Sequence, residues 1–567
     1  MNKKKLIKAV LANALVLFVL FLMFHPTEKT DDYIMKLILS GAYSGTPNAH
    51  LLYSNYVLGL VLKLLTIIIP FVSWYEMAQY LTIFASLTAF TYVMYDEHHK
   101  NQSWLIIIPV LLYFGFEGYI KLTFTKTAGI AAGAGMLLFF MALMQPEVEK
   151  KKLLPGLFFV FLGSLFRWKA IICTIVIFVG VILIQFIQKD SSKKTIVLTA
   201  AKVFAVAMIC IYGFTRISSL LFKIDPGWAD YKEYNTYKVE LQDYGWPDYW
   251  TYQTEYESLG ITYNDYIMWK DDRNYSDPAR FTNEMLESIC DLKADDFSKY
   301  FTSFRAFFLK YPQEYLRMNM VFVALPLLFL LLFTDHPQKW HVAAYMFFFS
   351  ILMDYYLFAN GRYGKTHTDV ATWFANCMFL CYYLKGSKIK NEYIYPTVLL
   401  VFGIFATMIR DDYRYINAGT YTGQENTISH DDARYTIDLM SENKQNLYVL
   451  SNQEYYGILR GYKPWERIPA GKYSNVFILS GYMQPTSRSV LDRYYIHNIY
   501  KHMTDSNVYF ISSQLPNDNS DLQILLTYIR EHYDPTVYYE EISNDHGAVT
   551  IKFHSAGFYD KDGSIWP

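Results

Sequence analysis

The apolar residues of this chain are gathered into runs near the length of a membrane-crossing helix, and that grouping limits the folds open to it. Apolar runs dominate 6–223 and 317–409, whereas 224–316 and 410–567 are polar and rich in Tyr, Asp and Asn. A helix spanning a bilayer needs about 20 apolar residues, so two stretches have to be read with lipid as solvent and two with water. The mean hydropathy of +0.09 averages over that division. Candidate membrane helices are 6–25, 51–72, 77–95, 103–116, 127–144, 155–166, 170–188, 195–223, 317–334, 340–357, 369–385 and 393–409.

If every run crossed, Lys-rich loops would fall on both sides. Segment 51–72 carries Lys63 in its middle and Tyr53, Tyr56 and Trp74 near its ends, a pattern that suits an amphipathic helix lying in the outer interface. With it so placed, about 11 crossings remain and the loops sort by the positive-inside rule. DEHHK, PEVEKKK, QKDSSKK, DHPQK and KGSKIK become cytoplasmic together with the basic start MNKKKLIKAV. That start resembles a signal peptide, but no small-x-small cleavage motif lies between the apolar run and Asp31 and further apolar runs follow, so it reads as a retained first helix. The expected fold is an all-α polytopic membrane protein. Residues 1–409 form its membrane domain, with 26–76 and 224–316 outside, and 410–567 form a separate extracellular α/β domain.

Net charge is −1, which gives no basis for nucleic acid binding. Of the five cysteines, Cys173, Cys210, Cys377 and Cys381 fall in apolar runs, where the thiol acts as a small hydrophobe. Cys290 stands apart from them, so neither a disulfide framework nor a Cys-type zinc site is expected. Segment 224–316 is too aromatic for a disordered linker. Its Tyr and Trp suit either stacking on sugar faces or a folded cap whose rings pack on one another. In the C-terminal part, β-rich runs at 446–451, 475–480, 507–512 and 548–553 alternate with helical stretches at 431–441 and 522–532. No Gly-rich phosphate loop follows any of these strands.

The residues best suited to chemistry are Asp31 and Asp32, adjacent carboxylates just beyond the first apolar run. Carboxylates at a bilayer edge are costly to desolvate and usually face a cavity or partner. One of such a pair can take a proton from an acceptor hydroxyl while the other positions the acceptor or holds a divalent metal. A solvated loop or a helix N-terminus would also accommodate them. Cations at the same rim could bind a phosphate: Lys121, Lys126, Arg167, Lys169, Arg362, Lys365 and His367, although snorkelling to headgroups explains any one of them as well. Among these, Arg167 and Arg362 fall at short outer turns. His98 and His99 read as solvated, and Asp354 could face a cavity or pair with Arg362.

One helix, then an acidic pair opening a large outer loop, resembles the GT-C superfamily of multi-pass glycosyltransferases. Protein O-mannosyltransferases, the aminoarabinose transferases of lipid A and the oligosaccharyltransferases belong to it. The resemblance covers 1–410 in topology and rests in motif on Asp31-Asp32. The His-Pro-Pro element common after the pair is replaced by Thr46-Pro47-Asn48-Ala49-His50, which sets the chain apart from the mannosyl and aminoarabinosyl branches and implies a different bacterial one. The resemblance implies a polyprenyl-phosphate-linked sugar as donor and a cell-wall glycan or glycolipid as acceptor. It also implies inversion by single displacement, with Asp31 favoured as general base and Glu117 as a second acidic site residue. The rival readings are a flippase for lipid-linked glycans, which would carry polar residues at mid-membrane, and a non-enzymatic scaffold displaying its C-terminal domain.

Overall fold

The computed structural model describes residues 2–24, 26–28, 30–143, 150–187, 191–270, 276–293, 298–317, 321–360, 366–389, 430–451, 462–512 and 520–557, with isolated positions between 390 and 406. The helices are α1 Lys3–Met23, α2 Thr30–Ser40, α3 Tyr56–Ile68, α4 Trp74–Met94, α5 Lys100–Gly115, α6 Phe124–Leu143, α7 Lys150–Arg167, α8 Ala170–Ile187, α9 Ser191–Phe222, α10 Pro226–Tyr244, α11 Gln253–Ser258, α12 Tyr263–Trp269, α13 Asn283–Asp291, α14 Ser298–Arg317, α15 Val321–Leu332, α16 Lys339–Ala359, α17 Thr366–Leu384, α18 His430–Glu442, α19 Pro485–Arg493 and α20 Asp521–His532. The strands are β1 Thr27–Glu28, β2 Lys121–Leu122, β3 Leu447–Leu450, β4 Val476–Ile478, β5 Val508–Ser512, β6 Val537–Asp545 and β7 Ala548–Ser555.

Among the described residues, seven helices are long and apolar enough to cross a membrane: Lys3–Met23, Trp74–Met94, Lys100–Ile120, Phe124–Leu143, Ala170–Ile187, Val197–Phe222 and Lys339–Ala359. Helices α7, α15 and α17 pack into the same apolar core. The expected run 393–409 lies largely outside the described residues. Helix α6 is the axis of the bundle and is buried along its whole length. Small residues permit this: a Cβ on Gly135 would lie 2.6 Å from the Gly156 carbonyl oxygen on α7, so the two backbones meet where no larger side chain fits.

Helix α3 has 13 residues, about 20 Å at 1.5 Å per residue, too short to span. It buries Leu58, Leu62 and Thr66 and exposes Leu60, Val61, Leu64, Ile67 and Ile68, the amphipathic pattern of an interfacial helix. Residues 298–316, expected in the outer loop, lie in helix α14. The aromatic spacing of YFTSFRAFF follows a helical period, and Phe307 packs on Tyr355 and Phe358 of α16.

The N-terminal helix start and the segments around 96–102, 334–339 and 385–389 share one end of the bundle, whereas 144–149 and 188–190 lie outside the described residues. Lys8 pairs with Glu97 at 2.8 Å, Lys385 donates to the Met94 carbonyl, Gln102 donates to the Ile389 carbonyl, and Thr334 bridges Ile389. His99 sits beside Asp96, with Nδ1 3.4 Å from its carboxylate.

At the other end lie α10–α13 and a five-stranded sheet ordered β4-β3-β5-β7-β6. Strand β3 is parallel to β4 and β5, while β7 runs antiparallel to β5 and β6. The β6–β7 hairpin turns at His546 and Gly547, which take φ of 53° and 73°, a primed-turn geometry. The sheet unit does not stand apart. It shares one hydrophobic core with Tyr33, Leu37 and Ile38 of α2 and with Trp228, Tyr234, Trp269 and Phe281 of the aromatic segment. The packed-cap reading of that segment therefore holds for most of its rings, and Trp250 and Tyr263 remain exposed.

Candidate functional site

Helix α2 begins with Asp31 and Asp32 in its first turn, where the positive end of the helix dipole favours carboxylates. Successive residues are about 100° apart around a helix, so the two acids point in different directions and meet different surroundings. Asp32 is fully buried. Its Oδ1 accepts hydrogen bonds from the Tyr75 hydroxyl at 3.1 Å, the Gln79 side-chain amide at 3.0 Å and the Phe124 backbone N–H at 2.9 Å. Gln79 is fixed in turn, because its Oε1 accepts from Thr127 at 3.0 Å. Asp32 thus ties α2 to α4 and to the start of α6. Asp31 is half-buried and lies within electrostatic reach of Tyr231 on α10. Burial, with Tyr234 and Asp31 adding, pushes the Tyr231 phenol above its usual pKa.

The short parallel pair β1–β2 sets Thr27 beside Lys121 and Glu28 beside Leu122. It brings the entry to α2 against the segment that follows α5. There the chain makes a π-helical turn, Phe116–Ile120, of the kind that recurs at functional sites. Glu117 on this turn is buried and pairs with Lys126 at 2.6 Å and with Lys121 at 3.4 Å. The Lys126 ammonium also donates to the carbonyls of Glu117 at 3.2 Å and Lys121 at 3.0 Å. Lys121 is the more accessible of the two cations and lies over the Phe116 ring. Arg167, at the end of α7, donates to Thr125 Oγ1 at 2.8 Å and lies 5.1 Å from the centre of the Phe124 ring. Asp32, Glu117, Lys121, Lys126 and Arg167 are therefore all gathered around residues 117–127.

The remaining predicted residues are placed differently. Lys169 is exposed just beyond Arg167, and His367 is half-buried in the first turn of α17. Arg362 and Lys365 lie outside the described residues, so the expected Asp354–Arg362 pair does too. Asp354 and Asp369 are both buried. Among the described residues, no third ligand joins Asp31 and Asp32 at metal-binding distance.

Two parts of the site were not foreseen. Tyr75 and Gln79 are polar side chains four residues apart near the start of α4, and that spacing was a readable signal. Lys36, one turn beyond Asp32, is buried and donates to the carbonyls of Lys463 at 3.1 Å and Pro464 at 2.9 Å. Farther along, the Tyr473 N–H donates to the Ala42 carbonyl at 2.9 Å, and Arg493 donates to the Ser44 carbonyl at 2.9 Å. The sheet unit thus rests on the helix that carries the acidic pair.

His50, in the Thr46-Pro47-Asn48-Ala49-His50 segment, lies flat against Trp228 with ring centres 4.6 Å apart and its Nδ1 2.7 Å from Asn48 Oδ1. Burial is the main cause that lowers its pKa to about 4, so it is a neutral packing group that anchors the cap.

No family model and no curated protein matches the chain. Two solved structures are similar in outline. ArnT from Cupriavidus metallidurans in the apo state has 11% identity and a TM-score of 0.40, covering 96% of this chain and 97% of that one. The same protein bound to undecaprenyl phosphate has 10% identity and a TM-score of 0.40, covering 98% and 99%. A superposition at that score does not fix a common fold, and the chemistry of this chain has to rest on its own residues.

Proposed function

We propose that the chain is a membrane glycosyltransferase of GT-C type that moves a sugar from a polyprenyl-phosphate donor to a glycan or glycolipid acceptor outside the membrane. The observation that supports this most is the convergence of an acidic pair with Lys121, Lys126 and Arg167 at the base of a packed cap. Asp32 is the anchor, with three donors on one oxygen. Asp31, the less buried acid, takes the proton from the acceptor hydroxyl as that oxygen attacks the anomeric carbon. The bond from that carbon to the lipid phosphate breaks, and the phosphate leaves with the bonding electrons. Lys121 and Arg167 stabilise its developing charge, while Glu117 and Lys126 hold the turn that presents Lys121. Lys169 and His367 supply further cations toward the donor phosphate, and Arg362 and Lys365 are assigned to the same task from the sequence alone. The loop cluster at the far end of the bundle lies in the cytoplasm, with the cap and sheet outside.

Donor binding tests the cationic half of this reading. Polyprenyl phosphate should bind purified protein with Kd raised about tenfold or more in Arg167→Met and in Lys121→Met, from loss of a charge-assisted contact of about 1.5–3 kcal/mol. Affinity unchanged in both variants would remove these residues from the phosphate site.

A further inference from the structure

We propose that Asp265, Glu531 and His532 form a divalent-cation site that clips the aromatic cap to the sheet unit. The site is independent of the transfer chemistry. Asp265 belongs to α12 on the cap, whereas Glu531 and His532 end α20 on the sheet unit. One donor atom from each lies within 4.8 Å of the other two. His532 Nε2 is 2.8 Å from Asp265 Oδ1 and 3.7 Å from Glu531 Oε2. These separations bracket the edge of about 3.4 Å expected for a tetrahedron with metal–ligand bonds of about 2.1 Å.

The surroundings favour a cation. The carboxylate of Asp265 is aimed by a capping box, in which Oδ2 accepts from the Thr262 N–H at 2.9 Å and leaves Oδ1 toward His532. The end of α20 adds the negative pole of a helix dipole. Among the described residues, the two carboxylates face one opposing charge, Arg280, which lies on the Oδ2 side at 3.4 Å and also donates to the Gly260 carbonyl. Without an ion, the imidazole N–H is shared with Asp265. An ion takes that place on Nε2, the ring proton moving to Nδ1, and gains Glu531 as a third ligand on the partly exposed side. One imidazole and two carboxylates suit Zn2+, with Mn2+ a weaker alternative.

The test is calorimetric titration of EDTA-treated, full-length protein in detergent with ZnCl2. Wild type should bind Zn2+ at one site that is weakened about tenfold or more in both Glu531→Gln and His532→Gln. Bound Co2+ should lose its visible absorption in His532→Gln. Both substitutions keep a hydrogen-bonding side chain, and Glu531 is partly exposed, so the ion-free unfolding midpoint should hardly move. If wild type takes up no Zn2+, or if both folded variants bind it with unchanged stoichiometry and affinity, the site does not exist.

Discussion

Replacing Lys126 by Met should be among the most damaging single changes near the acidic pair. The Lys126 side chain is 1% exposed, and its ammonium holds the Glu117 carboxylate at 2.6 Å together with the carbonyls of Glu117 and Lys121. Methionine keeps the unbranched shape and removes all three contacts. Glu117, itself 2% exposed, is left with Lys121 at 3.4 Å. Breaking a buried ion pair from one side costs about 3–5 kcal/mol, and each buried carbonyl left unsatisfied costs about 1–3 kcal/mol. The terms share one ammonium and do not add, so a loss near 4 kcal/mol is expected. In the double variant Glu117→Gln/Lys126→Met the stranded charge is gone, and about half of that loss should return. Unfolding in mixed SDS–detergent micelles measures both. A Lys126→Met protein within about 1 kcal/mol of wild type, or a double variant no better than the single, would refute the clamp.

The other perturbations probe the parts around it. Asp32→Ala should strand three buried donors and destabilise by about 2–4 kcal/mol, read from the same unfolding curves, whereas Asp31→Asn should leave them nearly unchanged. His50 gives a pH signature. Its folded pKa of about 4 lies below the unfolded 6.5, so the unfolded state binds the extra proton between those values. Its stability contribution is complete above pH 6.5 and is lost as pH falls toward 4. Discounted for solvent screening, the loss is about 2 kcal/mol, and His50→Phe should flatten that slope. Lys36→Met should raise hydrogen exchange at 462–466, because two backbone contacts to α2 disappear.

Local pattern carried much of this structure, and long-range contacts carried the rest. Strands β3, β4, β5 and β7 stand where short β-rich runs lie between turn residues, because burial on both faces leaves a continuous apolar signature. The solvent-facing strand β6 was passed over: VYYEEISND has no apolar run, and its pairing depends on the β7 partner. The membrane helices were legible from length, and the interfacial character of α3 from Lys63 within an apolar run flanked by Tyr53, Tyr56 and Trp74. Helix α14 was hidden because its charged residues break an apolar window even though its aromatics keep helical spacing. In the site, the charged residues themselves were legible. What separates Asp31 from Asp32 was not, since it comes from Tyr75, Gln79 and the Phe124 N–H, which only folding brings to one oxygen. The seat of the sheet unit on Lys36 is equally non-local, joining positions more than 400 residues apart.

The role of the acidic pair is tested most directly by sugar transfer from a labelled polyprenyl-phosphate donor, measured with purified wild type beside Asp31→Asn and Asp32→Asn. Loss of transfer in Asp31→Asn, with its unfolding curve at the wild-type position, is the predicted result. Transfer at the wild-type rate in both variants would contradict it and return the acidic pair to a structural role at the start of α2.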